Sequence, residues 1–277
     1  MLGAIVGDIV GSRFEFANFP TDGTECDFGV PVAPGFELFA GDCKCTDDTI
    51  LTLAVCRALL DSLNQPSNLP QLAVERFVEF GRAWPLAGYG GRFEAWLRSR
   101  EHVPYNSMGN GSAMRVSGCA YAAETLEEAL FLADQVTAVT HNHPEGMKGA
   151  RAVTAATFLA RKGKDKESIR RHIVENYYSL DFTLDEIRPS YWKEQGIGLC
   201  GKTVPQALQA FFESTDFESA IRLAVSIGGD TDTLGAIAGA PAGAFYHVPE
   251  SIAQEALAFL PEELRSVLEA FEAAFPT

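Results

Sequence analysis

The chain has 277 residues, 47% of them hydrophobic, and a formal net charge of −15 at pH 7. That charge argues against nucleic-acid binding, because nothing in the sequence neutralises phosphates on the scale that a duplex requires. No uninterrupted apolar stretch approaches the roughly 18 residues of a membrane span, and the stretch from Met1 to Asp8 lacks the basic region of a signal peptide. We therefore expect a cytoplasmic protein with a substantial core and no membrane partner.

The apolar periodicity predicts helices along most of the chain. No series of β-branched runs with period two is present, so we predict an all-α fold built as a many-helix bundle. There is no Pro/Ser-rich linker and no repeat of fixed period, and residues 1–277 are predicted to form a single domain. The helices are predicted at about 3–17, 47–63, 70–82, within 106–122, and at about 125–139, 145–162, 167–178, 203–213, 216–226, 232–247, 250–259 and 261–274.

A long loop separates the first two predicted helices. Residues 18–45 contain Pro20, Pro31 and Pro34 with several glycines. Loops of this length in a compact domain are usually functional or disordered. Because this one ends directly at an acidic cluster, we expect it to form a lid over the site.

The six cysteines do not suggest a disulfide framework in a chain of this size. A single residue separates Cys43 from Cys45, which is the wrong spacing for a zinc knuckle, and no CxxC motif occurs. We expect reduced thiols, with Cys56 and Cys119 in helical core positions.

Two short acidic clusters lie far apart in the sequence, Thr46-Asp47-Asp48-Thr49 and Asp230-Thr231-Asp232-Thr233. Each offers two carboxylates with flanking hydroxyls at the start of a predicted helix, where free N–H groups favour negative charge. Such hard oxygen ligands suit Mg²⁺ or Mn²⁺ better than zinc or copper. If the two helix starts converge, they supply four carboxylates and two hydroxyls, which is enough for a pair of divalent ions.

Five motifs, two of them these clusters, follow one another along the chain. They resemble, in this order, the motifs of the ADP-ribosylglycohydrolase family, which includes the dinitrogenase-reductase-activating glycohydrolases, and the match runs from about residue 1 to 250. The motifs are Gly7-Asp8-Ile9-Val10-Gly11-Ser12-Arg13-Phe14-Glu15, Thr46-Asp47-Asp48-Thr49, Gly109-Asn110-Gly111-Ser112-Ala113-Met114-Arg115, Thr140-His141-Asn142-His143-Pro144 and Gly228-Gly229-Asp230-Thr231-Asp232-Thr233.

The resemblance implies an orthogonal all-α bundle with a binuclear Mg²⁺ or Mn²⁺ centre. It also implies hydrolysis of the N- or O-glycosidic bond that joins ADP-ribose to an acceptor. The partner is then an ADP-ribose-bearing substrate, either a small conjugate or a protein, with arginine favoured over serine as the modified side chain. On the same basis the metal ligands are Thr46, Asp47, Asp48, Asp230, Asp232 and Thr233.

Three acids are the candidates for catalysis. Carboxylates near the anomeric carbon stabilise the oxocarbenium-like state of glycosidic cleavage. Asp47 or Asp48 could act both as a ligand and as the base that activates water, and the sequence does not divide these roles. Glu15 aligns with an acidic residue that gates or assists the reaction in relatives. Asp8, earlier on the same helix, is either a hydrogen-bonding member of the site or a satisfied buried acid.

The glycine-rich stretches are the candidates for binding the diphosphate. Glycine lets backbone N–H groups approach a phosphate without a Cβ in the way. The family pattern makes His141 a contact to the ribose or the diphosphate, and the adenine could stack on Tyr89, Tyr105 or the Tyr191-Trp192 pair. The predicted substrate-binding residues are Gly88, Tyr89, Gly90, Ser107, Met108, Gly109, Asn110 and His141. Met108 stands where an aromatic residue is common in relatives.

Two other functions compete with this hypothesis. The stretch from Asp230 to Thr233 loosely matches the DxDxT start of a haloacid-dehalogenase-type phosphatase, but that motif should follow a buried first strand. The second alternative is a non-catalytic protein that binds metal or ADP-ribose, or a crystallin-like structural relative. The complete set of six predicted ligands argues against it.

Overall fold

The computed structural model of the chain describes residues 1–16, 28–63 and 66–276. These residues contain no β-strand, only isolated bridges between Gly29 and Gly229 and between Gly109 and Leu199. The all-α fold class is therefore confirmed. The described α-helices are α1 (Leu2–Gly11), α2 (Asp47–Ser62), α3 (Leu69–Ala83), α4 (Gly91–Arg98), α5 (Ser117–Ala122), α6 (Leu126–Ala138), α7 (Pro144–Arg161), α8 (Lys166–Asn176), α9 (Leu184–Ile187), α10 (Cys200–Glu213), α11 (Phe217–Ser226), α12 (Thr231–Tyr246), α13 (Glu250–Leu257) and α14 (Glu262–Ala274).

Most predicted helices agree with the structure to within a few residues, and the differences have local causes. Helix α1 ends at Gly11, well before residue 17, and the Ser12 hydroxyl then caps its last turn by donating to Ile9 O at 2.8 Å. In the segment 106–122, only a 3-10 turn (Asn110–Ser112) precedes the short α5. The prediction missed α4 because its glycine-rich start is typical of a turn, and it missed α9 because that helix has four residues.

Helices α1 and α12 form the tightest pair in the bundle. Gly3 lies against Gly239, and Gly7 lies against Gly235 one turn further along. A Cβ added at Gly7 would lie 1.9 Å from Gly235 O, so no side chain fits between the two backbones. Spacing of four residues puts these glycines on one face of each helix. The close approach fixes the start of α12 beside the end of α1.

The hydrophobic core surrounds this pair. Helix α12 also packs against α7, α10 and α11, while α2 packs against α3 and α14. Cys56 and Cys119 are fully buried in α2 and α5, as predicted, and none of the five described cysteines is in a disulfide. Among the described helices, none combines the length and the apolar character needed to cross a membrane.

Part of the predicted lid, residues 18–27, lies outside the described residues. The described remainder of that loop is irregular chain, and its stretch from Val32 to Phe36 lies against α11. Its backbone is held there because Val32 N donates to Ser226 O at 3.3 Å and the Arg222 guanidinium donates to Pro34 O at 2.9 Å. Phe28, the first described residue of this segment, lines a cavity whose wall also contains Asp47 and Asp230.

We expect Gly7→Ala to destabilise the protein strongly, because its Cβ would meet the backbone of α12. Overpacking of this kind lowers the free energy of unfolding by about 3 kcal/mol. The measurement is urea unfolding of the variant and of the wild-type protein. The matched control is Gly35→Ala, since a Cβ at Gly35 meets nothing within 4 Å. Equal stability of the two variants would contradict the packing of α1 on α12.

Candidate active site

The first acidic cluster is held by a carboxylate from another helix. Asp8, fully buried on α1, accepts hydrogen bonds from Thr46 N at 3.0 Å and from the Thr46 hydroxyl at 2.6 Å. It also accepts from Thr49 N at 3.0 Å and from the Thr49 hydroxyl. Four donors at the N-terminus of α2 therefore point at one carboxylate. Asp8 is a satisfied buried acid that positions Asp47 and Asp48.

The second acidic cluster follows a sharp turn. Gly228 and Gly229 have φ angles of 73° and 83°, in the left-handed region that favours glycine. Gly229 N donates to Gly29 O at 2.9 Å, and the Thr231 hydroxyl donates to Gly11 O at 2.8 Å. These contacts place Asp230, the N-cap residue of α12, next to the end of α1.

The two clusters meet. The Thr233 hydroxyl donates to Asp48 Oδ2 at 3.2 Å, which joins the first turn of α12 to the first turn of α2. Carboxylate oxygens of Glu15, Asp230 and Asp232 lie within 4.8 Å of one another. The convergence expected from the two clusters is thus present in the fold.

The acids face a cavity of about 320 Å³, within the usual range for a small-molecule site. Twelve of the fifteen predicted site residues line it, and they come from the segment just after α1, from the starts of α2 and α12, and from the loops before α4, α5 and α7. These twelve are Glu15, Asp47, Asp48, Gly88, Gly90, Ser107, Gly109, Asn110, His141, Asp230, Asp232 and Thr233.

Three predicted site residues do not line the cavity. The Thr46 hydroxyl donates to Asp8 and accepts from Asp48 N at 3.3 Å, so it acts as the cap of α2. Tyr89 is buried with its ring 5.4 Å from that of Phe93, because the chain turns at Gly88, where φ is 104°. Met108 is 41% exposed and lies outside the cavity lining.

Asn110 has a contact that the sequence did not indicate. Its Nδ2 donates to Asp230 Oδ2 at 2.7 Å and to the Thr203 hydroxyl at 3.1 Å. Its backbone N–H donates to Gly198 O at 2.9 Å. Besides lining the cavity, Asn110 therefore orients one of the clustered carboxylates.

Several cavity residues were not predicted. Met114 and Arg115 belong to a quoted motif but had no assigned role, whereas Arg92 and Gly198 carry no local signal at all. Of the candidates for stacking on adenine, Tyr105 lines the cavity, whereas Tyr191 is fully buried away from it. Contacts between distant segments bring these residues to the cavity. Local sequence patterns do not report such contacts, so the sequence assigned these residues no role.

Crowding of acids raises their pKa values. Burial, followed by the charge of Asp232, raises the pKa of Asp8 to about 7 and that of Glu15 to about 11. Burial and then Asp230 raise the pKa of Asp232 to about 8. The pKa values of Asp47, Asp48 and Asp230 are raised for the same first reason. Without a compensating cation, these six carboxyls cannot all be ionised at neutral pH.

The donor set fits a hard divalent cation. Asp48 Oδ1 is buried, and no described residue donates a hydrogen bond to it. An unpaired buried carboxylate oxygen is costly unless a cation meets it. Asp48 Oδ1 and the clustered carboxylate oxygens of Glu15, Asp230 and Asp232 are therefore the atoms that could hold Mg²⁺ or Mn²⁺.

A helical bundle that gathers several acids at one cavity is an arrangement suited to an enzyme site. The sequence profile described as ADP-ribosylglycohydrolase matches residues 1–276. The chain belongs to the ADP-ribosylglycohydrolase family and is an enzyme of that class.

Similar proteins agree with this assignment. The ADP-ribosylarginine hydrolase Tri1 of Pseudomonas putida (strain GB-1) is 27% identical, over 90% of this chain and 70% of its own. The ADP-ribosylhydrolase ARH3 of Homo sapiens is 28% identical, over 91% of this chain and 86% of its own. The ADP-ribosyl-[dinitrogen reductase] glycohydrolase of Rhodospirillum rubrum is 27% identical, over 90% and 85%. A solved structure named "ADP-ribosylglycohydrolase-related protein complex" superposes with a TM-score of 0.66 at 27% identity, over 98% of this chain and 96% of that one.

We expect the metal-free protein to lose stability as the pH rises from 5 to 8. The folded state holds protons on Asp8 and Asp232 up to about pH 7 and 8, whereas an unfolded aspartate releases its proton near pH 4. Folding therefore binds protons in this window, and the free energy of unfolding falls by about 1.4 kcal/mol per pH unit for each extra proton that the folded state holds.

The measurement is urea unfolding in EDTA at both pH values. Burial lowers the pKa of His141, which acts in the opposite direction, so the useful quantity is the difference between wild type and Asp232→Asn. This variant lacks one raised carboxyl and should show a weaker loss. Equal slopes would contradict the raised pKa of Asp232.

Proposed function

We propose that the protein is a metal-dependent hydrolase that cleaves the bond between ADP-ribose and an acceptor, with arginine favoured over serine. Family membership supports the reaction. The observation that carries the assignment of the site is the meeting of the two helix starts, where the Thr233 hydroxyl donates to Asp48 Oδ2 at 3.2 Å. This contact brings both acidic clusters to one cavity.

The proposed metal ligands are the two clusters. Asp47, Asp48, Asp230, Asp232 and Thr233 line the cavity and would hold two Mg²⁺ or Mn²⁺ ions between them. Thr46 is the proposed sixth ligand, because its hydroxyl gives its proton to Asp8 and accepts from Asp48 N, which leaves one oxygen lone pair for a cation. When bound, a pair of such ions supplies orientation of the substrate, polarisation and a more acidic water.

The acids have separate tasks in this proposal. Asp48 is only 2% exposed, and its Oδ2 is occupied by Thr233, so it serves as a ligand. Asp47 is more exposed to the cavity and is our candidate for the base that takes the proton of the attacking water. The partly exposed carboxyl of Glu15 is our candidate to exchange a proton with the leaving atom of the acceptor. Glu15 holds the proton that this role needs, because its pKa is raised, and the carboxylates of Asp47 and Asp48 stabilise positive charge at the anomeric carbon.

Substrate recognition falls to the loops. The backbone at Gly88, Gly90 and Gly109 has no side chain to block a phosphate. The Tyr105 ring lies beside His141, with the ring centroids 5.8 Å apart, and is our candidate for stacking on the adenine. His141 is the candidate for a hydrogen bond to the ribose or the diphosphate.

Two features support a preference for arginine. The net charge of −15 and the six clustered acids favour a cationic leaving group, and a guanidinium is cationic whereas a serine hydroxyl is not. The relative from Pseudomonas putida is named for ADP-ribosylarginine.

The competing functions have less support. A haloacid-dehalogenase-type phosphatase needs its acidic motif after a strand, and the described residues contain no strand. No observation favours a non-catalytic protein, because each of the six predicted ligands lies in or beside the cavity.

We expect free ADP-ribose to be released from an arginine-linked substrate in Mg²⁺ or Mn²⁺, faster than from a serine-linked one, and release to stop in EDTA. The assay is chromatographic detection of ADP-ribose. Release that continues unchanged in EDTA would contradict the metal requirement, and faster release from serine would contradict the preference.

We expect Asp47→Asn and Asp232→Asn to reduce turnover at limiting metal by at least about a hundredfold, as metal-ligand changes do. Each replaces a charged oxygen by a neutral amide of the same shape. The control is Asp185→Asn, whose side chain is 88% exposed and outside the cavity. Wild-type turnover in either site variant would show that the ligand assignment is wrong.

A further inference from the structure

Arg115 is a fully buried arginine on the cavity wall, and no carboxylate of the described residues forms an ion pair with it. Its guanidinium carbon lies 4.2 Å from the ring centroid of Phe77 and 5.9 Å from that of Phe93. Only Nη2 donates a hydrogen bond, to the Thr140 hydroxyl at 2.6 Å, while Nε and Nη1 have no partner among the described residues. Burying a guanidinium that makes a single hydrogen bond is costly. This cost suggests that the one hydrogen bond, to Thr140, has a function.

The bond determines where the proton of Thr140 goes. A guanidinium cannot accept, so the Thr140 oxygen accepts from Arg115, and its own proton remains to be donated. His141 Nδ1 lies 2.8 Å from that oxygen, whereas Thr137 O lies 3.5 Å away. Thr137 O already accepts from Thr140 N and His141 N, at 3.2 and 2.9 Å. The hydroxyl proton therefore points to His141 Nδ1.

An imidazole that accepts at Nδ1 carries its proton at Nε2. His141 is 4% exposed and lines the cavity. A Cβ built at Gly109 or Gly111 would lie 3.7 or 3.6 Å from Nε2, so this nitrogen faces the glycine loop on the cavity wall. Burial, Arg115 and then Arg92 hold the pKa of His141 well below its ordinary value, so the ring stays neutral.

We propose that Arg115 and Thr140 are positioning residues that fix His141 as the neutral tautomer with its proton on Nε2, so that it presents one hydrogen-bond donor to a ligand oxygen. The nature of this ligand, ADP-ribose, rests on the proposed function. The opposite tautomer would present a lone pair, which repels the ribose and phosphate oxygens of ADP-ribose.

The direct test is the tautomer of His141 in the full chain labelled with ¹⁵N-histidine, read from the ring nitrogen resonances. Five histidines contribute, and His141→Gln identifies the signals of interest. We expect an unprotonated Nδ1 and a protonated Nε2 in the wild-type protein without ligand. A proton on Nδ1, or a charged ring at pH 7, would overturn the proposal.

A matched set of variants tests the role of the hydroxyl. Thr140→Val removes it while keeping the shape, and Thr140→Ser keeps it. Thr137→Val is the control, because Thr137 is equally buried and its hydroxyl has no partner among the described residues.

We expect Thr140→Val to mix the tautomers and to weaken ADP-ribose binding by about tenfold, as the loss of one buried hydrogen bond does. Its KM should rise more than its kcat falls. Thr140→Ser should restore both the tautomer and the affinity, and Thr137→Val should change neither. An unchanged tautomer in Thr140→Val, or an equal loss of affinity in Thr137→Val, would show that the Thr140 hydroxyl does not set the tautomer of His141.

The two proposals fail differently. If His141 carries its proton on Nε2 and Thr140→Val disturbs it, but the wild-type protein neither binds ADP-ribose nor releases it from any substrate, the proposed function is wrong and the proton assignment stands.

Discussion

One buried carboxylate links the scaffold to the site. Asp8 lies on α1 in the centre of the bundle, yet all four of its hydrogen bonds go to the first turn of α2. A helix N-terminus needs acceptors for its free N–H groups, and here a different helix supplies them. The direction in which Asp47 and Asp48 enter the cavity therefore depends on where α1 lies, and α1 is fixed by its glycine contacts with α12. The same contacts place Asp230 and Asp232, so one pair of helices positions both acidic clusters.

The sequence predicted the acidic clusters because their signals are local. Carboxylates and hydroxyls at the start of an apolar run identify a helix N-terminus, and two of these termini carry the site. The helices around them were predicted for the same reason. The roles of individual side chains were harder to predict, because they depend on contacts between distant segments. Asn110 is paired with Asp230, which is 120 residues away, and Arg115 is paired with Thr140.

Local backbone geometry explains the remaining differences. Tyr89 belongs to a glycine-rich stretch that was predicted to bind substrate, but the positive φ of Gly88 turns its ring into the core against Phe93. Helix α4 begins within that same stretch, where glycines are typical of a turn. Periodicity cannot resolve either point, since both depend on single φ angles rather than on the pattern of apolar residues.

The buried charged side chains show where folding and function conflict. Asp8 has every oxygen satisfied, and it belongs to the scaffold. Asp48 and Arg115 each keep polar atoms that have no partner within the described part of the chain, and both line the cavity. Unpaired buried charge lowers the stability of the fold, and proteins tolerate it mainly at functional sites. The unpaired oxygen of Asp48 suits a cation, and Arg115 directs its one hydrogen bond through Thr140 towards His141. The cavity thus combines an acidic side that would attract metal ions with a basic side that, through His141, would offer a donor to the anionic part of ADP-ribose.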